Sequence, residues 1–131
     1  MTDIFLCSTF TSDWNLNFNS QLCAALEKRG ITCYSPKRDT NQKGTPQEKF
    51  AQNIKAIKNA RILLYVSLNE TPNGGSEVGF SYATGKKIIT LTEKDHEIPL
   101  MLKGMMKIVF AMEDLDNIDN YIDELIKEIK K

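Results

Sequence analysis

Arg61-Ile62-Leu63-Leu64-Tyr65-Val66-Ser67 decides the fold. A strand with one wet face alternates apolar and polar residues, but this stretch is apolar at every position from Ile62 to Val66. That is the pattern of a central parallel strand covered on both faces. Working outward, Pro46 opens a helix with Phe50, Ile54 and Ile57 on one side. After the strand come a turn-rich loop, Asn69 to Gly75, and a short helix expected over Ser76 to Thr84, which Gly85 stops. Lys87 to Leu91 is the next strand, and Lys107 to Phe110 a fifth. Toward the N-terminus, Asp3 to Ser8 reads as a buried strand, and Leu22, Ala25 and Leu26 mark a helix from about Leu16 to Arg29 ended by Gly30. Ile31 to Tyr34 is a second short strand, and Ile118, Ile122, Leu125 and Ile129 make the tail from Leu115 an amphipathic helix.

Strands alternating with helices imply right-handed crossovers. The expected architecture is α/β: a flavodoxin-like or Rossmann-like open parallel five-stranded sheet with helices on both faces, forming one domain over residues 1–131. In such sheets ligands bind beyond the carboxyl ends of the strands, where the strand order reverses. That rule selects the loops Ser8 to Asn15, Ser35 to Thr45 and Ser67 to Glu77.

Lys plus Arg and Asp plus Glu both number 17, so the basic excess that supports non-specific nucleic-acid binding is absent. No apolar run approaches the roughly 20 residues that span a bilayer, and the chain enters its first strand with no signal-peptide pattern. The expectation is therefore a cytoplasmic protein without nucleic-acid or membrane partners. Cys7, Cys23 and Cys33 are odd in number and widely spaced, with only His96 to join them as a nitrogen ligand. They read as small buried hydrophobes in a reducing compartment, and neither a metal site nor any cofactor is expected. His96, between Asp95 and Glu97, reads as surface, and Tyr65 and Tyr82 as core.

Among the loops, the third carries the most information. Glu77 falls in the first turn of the expected helix, beside Gly74 and Gly75 and just past the central strand. A carboxylate there faces the positive end of the helix dipole, which favours its ionised form. The same position also suits a residue that merely decorates a helix start.

Ser76-Glu77-Val78-Gly79-Phe80-Ser81-Tyr82-Ala83-Thr84-Gly85-Lys86-Lys87-Ile88-Ile89 resembles the Glu-x-Gly-(aromatic)-x-x-Ala-x-Gly-Lys-x-(Val/Ile)-Ile segment of the nucleoside 2-deoxyribosyltransferase family. Other stretches match in order. Ile4-Phe5-Leu6-Cys7-Ser8 resembles that family's first strand and small-residue turn, and Tyr34-Ser35-Pro36-Lys37-Arg38 its Ser-Pro-Arg stretch. Asn41-Gln42 falls where a base-contacting Gln is often found, and Asn53-Ile54-Lys55-Ala56-Ile57-Lys58-Asn59-Ala60 resembles the Asp-Leu-x-x-Ile-x-x-Ala helix. Ile98-Pro99-Leu100-Met101 resembles a Leu-Met segment that reaches a neighbouring subunit's site.

The resemblance implies a small-molecule nucleoside or nucleotide substrate and Glu77 as the nucleophile at the sugar C1′. The leaving base would be replaced by another base or by water. It further implies a homo-oligomer, since Met101 would belong to a neighbour's site. Ser8, Arg38, Gln42 and Thr71 become candidate substrate contacts. Phe10 and Trp14 are candidate stacking partners for a base, and the Gly74 and Gly75 amides candidate donors. Three positions depart from the family's pattern, the first being Pro99, which stands where a neighbouring subunit's Asn or Ser is expected and whose side chain donates nothing. Asn53 stands where an Asp assists the departing base, and an amide cannot serve as a general acid. Thr71 stands where transferases carry an Asp for the sugar 5′-hydroxyl; related 5′-monophosphate hydrolases place a Ser there. A TIR-like domain, acting on NAD or as an interaction module, fits the same fold with a Glu after the central strand. The loss of both Asp residues also fits a non-catalytic nucleotide-binding relative.

Overall fold

The computed structural model describes residues 1–131. Its strands are β1 (Thr2–Cys7), β2 (Cys33–Tyr34), β3 (Ala60–Ser67), β4 (Lys87–Glu93) and β5 (Ile108–Met112). The helices are α1 (Asp13–Lys28), α2 (Pro36–Asp39), α3 (Pro46–Asn59), α4 (Pro72–Ala83), α5 (Leu100–Gly104) and α6 (Ile122–Lys130), the last preceded by a 3₁₀ turn over Ile118–Asn120. The sheet runs β2-β1-β3-β4-β5 and every pairing is parallel. This is the flavodoxin-like order, with its switch point between β1 and β3.

Side chains alternate across the pleat, so each strand supplies two cores. Ile4 and Leu6 of β1, with Ile62, Leu64 and Val66 of β3, pack under Phe18, Leu22 and Leu26 of α1 and Ile122, Leu125 and Ile129 of α6. Phe5 and Cys7 of β1, with Leu63 and Tyr65 of β3, pack under Ile57 of α3, Val78 of α4 and Leu102 of α5. The pairing of Cys7 with Tyr65 places both on the α3–α4 side, at the carboxyl ends of their strands.

Several boundaries differ from the sequence expectation. Helix α4 starts at Pro72, not Ser76, with Thr71 at its N-cap in extended backbone. Proline's fixed φ suits the first helical position. The two glycines that read as loop lie inside the first turn, and Gly74 faces the strands there. A Cβ at Gly74 would sit 3.4 Å from Tyr65 Cε1 and 3.9 Å from Cys7 Sγ. Helix α1 starts at Asp13, taking Trp14 out of the loop, and β2 is reduced to two residues. The five-residue α5 and four-residue α2 are too short to leave a periodic signal. Tyr82, expected in the core, is 53% exposed.

Helix α4 ends in a Schellman motif: Gly85 adopts φ +77°, its N–H donates to the Tyr82 carbonyl, and Lys86 N–H donates to the Ser81 carbonyl. The Lys86 ammonium then binds the Ala60 carbonyl at the foot of β3. The Gly85-Lys86 pair is thus explained by chain reversal rather than by ligand binding. Gly85→Ala forces a side chain into left-handed backbone and should lower stability by about 1 kcal/mol. Gly79→Ala, where an added Cβ meets nothing within 4 Å in the same helix, should raise it by about 0.5–1 kcal/mol. Urea unfolding of both variants checks the opposite signs.

Candidate active site

Because β1 and β3 are neighbours, the segments leaving their carboxyl ends diverge and open a cavity of about 810 Å³. Small-molecule sites typically run to roughly 300–1,000 Å³. Ser8, Phe10 and Thr11 follow β1 into it, and Pro36, Lys37, Thr40 and Gln42 enter from α2 and its exit. Helix α3 contributes Pro46, Lys49, Phe50, Asn53 and Ile54, and α4 with its N-cap contributes Thr71, Pro72, Asn73, Ser76, Glu77 and Phe80. Most of the wall surface is apolar, with Phe10, Phe50, Ile54 and Phe80 as its hydrophobic side chains and polar groups set among them. Glu77 is its only acidic side chain, facing two cations, Lys37 and Lys49.

Glu77 sits in the second turn of α4, five residues past the helix start, and not in the first turn as its spacing from Gly75 implied. The expected stabilisation of the carboxylate by the helix end is correspondingly lost, since that effect fades beyond the first turn. Burial instead pushes its pKa up to about 7, and a hydrogen bond from Cys7 partly opposes the rise. Cys7 Sγ lies 3.3 Å from Glu77 Oε1 and 3.5 Å from the Gly74 carbonyl. A carboxylate held near neutral pKa in a cavity is a stronger nucleophile and base than a solvated one.

Asn53 is oriented by a short relay. Tyr34 OH lies 2.7 Å from Thr40 Oγ1, which donates to Asn53 Oδ1 at 2.6 Å. The Asn53 amide nitrogen is left to donate into the cavity. Gln42 is the reverse case: its Nε2 donates to the Pro36 and Thr40 carbonyls, both at 2.8 Å, leaving Oε1 as the atom with spare capacity. Ser8 is held by Asn15, whose Nδ2 reaches Ser8 Oγ at 3.3 Å and the Leu68 carbonyl at 3.2 Å. Asn69 Nδ2 donates to Asn15 Oδ1 at 2.9 Å, and Thr9 Oγ1 donates to the Asn69 carbonyl at 2.6 Å. These bonds tie the β1 exit to the β3 exit. Asn69 accepts φ +55° to make them, a conformation Asn tolerates better than most residues. The Thr71 hydroxyl makes no cap bond and lines the cavity.

The structure thus gathers Ser8, Phe10, Gln42, Asn53, Thr71 and Glu77 around one space and leaves Trp14, Arg38, Gly74, Gly75 and Met101 outside its lining. Trp14 stacks on Phe18 at 4.8 Å and donates to Asp116, covering the opposite core. Arg38 is consumed by Glu27, Asp39 and the Cys33 carbonyl, each at 2.9 Å. Gly74 is buried on the face of α4 that meets Tyr65 and Cys7, and the Gly75 amide already donates to the Thr71 carbonyl. Met101 is 73% exposed. His96, expected to be free surface, instead bonds Glu70 Oε1 at 2.7 Å, and Ser67 Oγ donates to the same oxygen. Glu70 is thereby held out of the cavity. Sequence reasoning passed over Cys7, Thr40 and Phe80 as participants. Only Phe80 carried a signal, being four residues before Thr84 and three after Glu77 on one helix face.

Because the folded pKa of Glu77 lies above its ordinary value of 4.5, the folded state holds a proton that the unfolded chain has released. Its contribution to stability falls as pH rises from about 4.5 to 7 and is flat beyond. Glu77→Gln should therefore be more stable than the parent by on the order of 2–3 kcal/mol at pH 8, and nearly equal to it at pH 4. Thermal unfolding at the two pH values checks this.

Residues 1–94 match the family model described as "Nucleoside 2-deoxyribosyltransferase like". No curated protein sequence matches the chain significantly. Among solved structures, the 2-deoxyribosyltransferase of Bacillus psychrosaccharolyticus is 25% identical, with 90% of each chain covered and a TM-score of 0.72. The CMP N-glycosidase BcmB of Clostridium botulinum shares the fold at 20% identity, covering 93% of this chain and 98% of its own, with a TM-score of 0.71. The TIR domain of a Toll-related receptor from Hydra magnipapillata shares it too, at 19% identity over all of both chains, with a TM-score of 0.75. With its switch-point cavity and more than half its length inside the family model, the chain belongs to the nucleoside 2-deoxyribosyltransferase-like family.

Proposed function

We propose that this protein cleaves the N-glycosidic bond of a (deoxy)nucleoside or its 5′-monophosphate with Glu77 as nucleophile. The observation that carries this reading is a half-buried carboxylate, with its pKa pushed up to about 7, on the wall of a nucleotide-sized cavity. An ionised Glu77 oxygen attacks C1′ through an oxocarbenium-like transition state. The C1′–N bond breaks with its electron pair going to the base, and the glycosyl ester passes to a second base or to water. The Asn53 amide nitrogen donates to the departing base and steadies its charge without supplying a proton. Phe10 and Phe80 offer apolar surface for the base, and Gln42 Oε1 an acceptor for an exocyclic amine.

The 5′ group meets Thr71. Its hydroxyl is unbonded, the carboxylate at position 70 is held aside by His96, and the lining carries two lysines against one glutamate. This balance supports a 5′-monophosphate over a free nucleoside. A second reading, NAD cleavage by a TIR-like domain, draws support from the whole-chain likeness to a TIR domain.

The chain should be incubated with deoxynucleosides, their 5′-monophosphates and NAD, with and without a second free base, and released base measured by chromatography. Base release from a monophosphate is expected. It should rise with pH through about 7, as Glu77 ionises, and Glu77→Ala should lose at least 10³-fold of kcat. A variant retaining a few per cent of activity removes Glu77 as nucleophile, and release of nicotinamide alone favours the second reading. Thr71→Asp should reverse the monophosphate preference through like-charge repulsion, and an unchanged ratio of kcat/KM values would show that Thr71 does not meet the 5′ group.

We also propose a homo-oligomer. Ile98, Met105 and Met106 pack on the second core, which leaves only Leu100 and Met101 of this apolar segment strongly exposed, at 84% and 73%. Light scattering should give a multiple of 14.9 kDa; an active species at the single-chain mass contradicts it.

A further inference from the structure

Cys7 is the last residue of β1, fully buried, and its side chain points to the α3–α4 side of the sheet. It does not line the cavity, yet its sulfur lies 3.3 Å from Oε1 of the one acidic residue that does. Glu77 accepts no other hydrogen bond within the protein, so a single thiol sets the carboxylate's direction. Gly74 lies beside the contact, its carbonyl 3.5 Å from Cys7 Sγ, and Tyr65 backs Cys7 from the neighbouring strand.

We propose that Cys7 is the positioning residue for Glu77: its thiol donates to Oε1, fixes the carboxylate's rotamer and leaves Oε2 free to meet the substrate. This rests on the reading of Glu77 as nucleophile. Burial and the adjacent carboxylate raise the Cys7 pKa well above its ordinary value, so the sulfur keeps its proton and remains a donor. A thiol is a weak donor and orients the carboxylate while lowering its basicity less than a hydroxyl or ammonium would. The thiol also has a second acceptor 3.5 Å away, the Gly74 carbonyl. When Glu77 is protonated or carries a glycosyl group, the S–H turns to that carbonyl and is never left unbonded in the core. The other ionisable groups around Glu77 are Lys37 from α2 and Lys49 from α3 across the cavity, and Tyr65 from β3 behind Cys7. None of them contacts the carboxylate with a hydrogen bond.

The test uses Cys7→Ala and Cys7→Ser in the full chain, with two readouts. The first is the titration of the Glu77 carboxyl carbon followed by ¹³C NMR in glutamate-labelled protein, which requires no activity. In Cys7→Ala it should move up by about 0.5–1 pH unit, the size of one lost weak hydrogen bond. In Cys7→Ser, whose hydroxyl donates to the same oxygen, it should stay at the parent value or fall below it. The second readout is the pH profile of kcat/KM. Cys7→Ala should shift its acidic limb upward by the same amount and lower the plateau about 10-fold, and Cys7→Ser should restore the limb. A Glu77 titration that is the same in the parent and Cys7→Ala, or the same in the Ala and Ser variants, overturns the proposal. Glu77→Ala assays address the nucleophile itself, so a failure there is separable: the titration still reports whether the thiol and carboxylate are coupled.

Discussion

The structure turns on the parallel pairing of β1 with β3. Side chains flip at each residue of a strand, so the pairing that sets Cys7 opposite Tyr65 also turns Phe5 and Leu63 toward α3 and α4. A slip of β1 by one residue would send Ile4 and Leu6 to the α3–α4 side and bury Phe5 and Cys7 beneath α1. The cavity exists because the chains leaving β1 and β3 part at the switch point, one toward α1 and the other toward α4. The Asn15–Asn69–Thr9 bonds then hold the two exits at a fixed separation. A tied frame of this kind keeps the groups that line the cavity at fixed distances from Glu77.

Within that frame two forces act against each other at Glu77. Burial in the wall of the cavity raises the cost of its charge, and the Cys7 hydrogen bond recovers part of that cost. Burial dominates, which leaves the ionised carboxylate destabilised in the folded state. Strain of this kind at one residue is affordable where two cores on either side of a five-stranded sheet supply the stability. The Asn53 side is quieter. Tyr34, Thr40 and Asn53 form a neutral relay that orients a donor and moves no charge.

The sequence carried most of the architecture and singled out the one carboxylate that lines the cavity, Glu77. Uniform apolarity over Ile62 to Val66 could only belong to a strand covered on both faces, and helices separated by such strands allow few topologies. The order of motifs along the chain placed Glu77, Asn53, Thr71, Gln42, Ser8 and Phe10, and the fold gathers all six around one cavity. Trp14 and Arg38 fell outside because their loops were read as longer than they are: α1 and α2 each absorb residues that carried turn signals.

Tertiary structure alone decided the electrostatics. By spacing, Glu77 follows two glycines and ought to begin a helix as a dipole-stabilised anion. The helix instead begins at Pro72, whose fixed φ suits the first helical position, so Glu77 lies one turn in and under cover. The partnership of Cys7 with Glu77 spans 70 residues of sequence and has no local signature, because a cysteine in an apolar strand looks like packing. The same holds for His96 and Glu70, whose bond joins two loops 26 residues apart. Hydrophobic pattern is written locally and survives in the sequence. The pKa of a carboxylate depends on what comes within a few ångströms of it, and only the folded chain sets that distance.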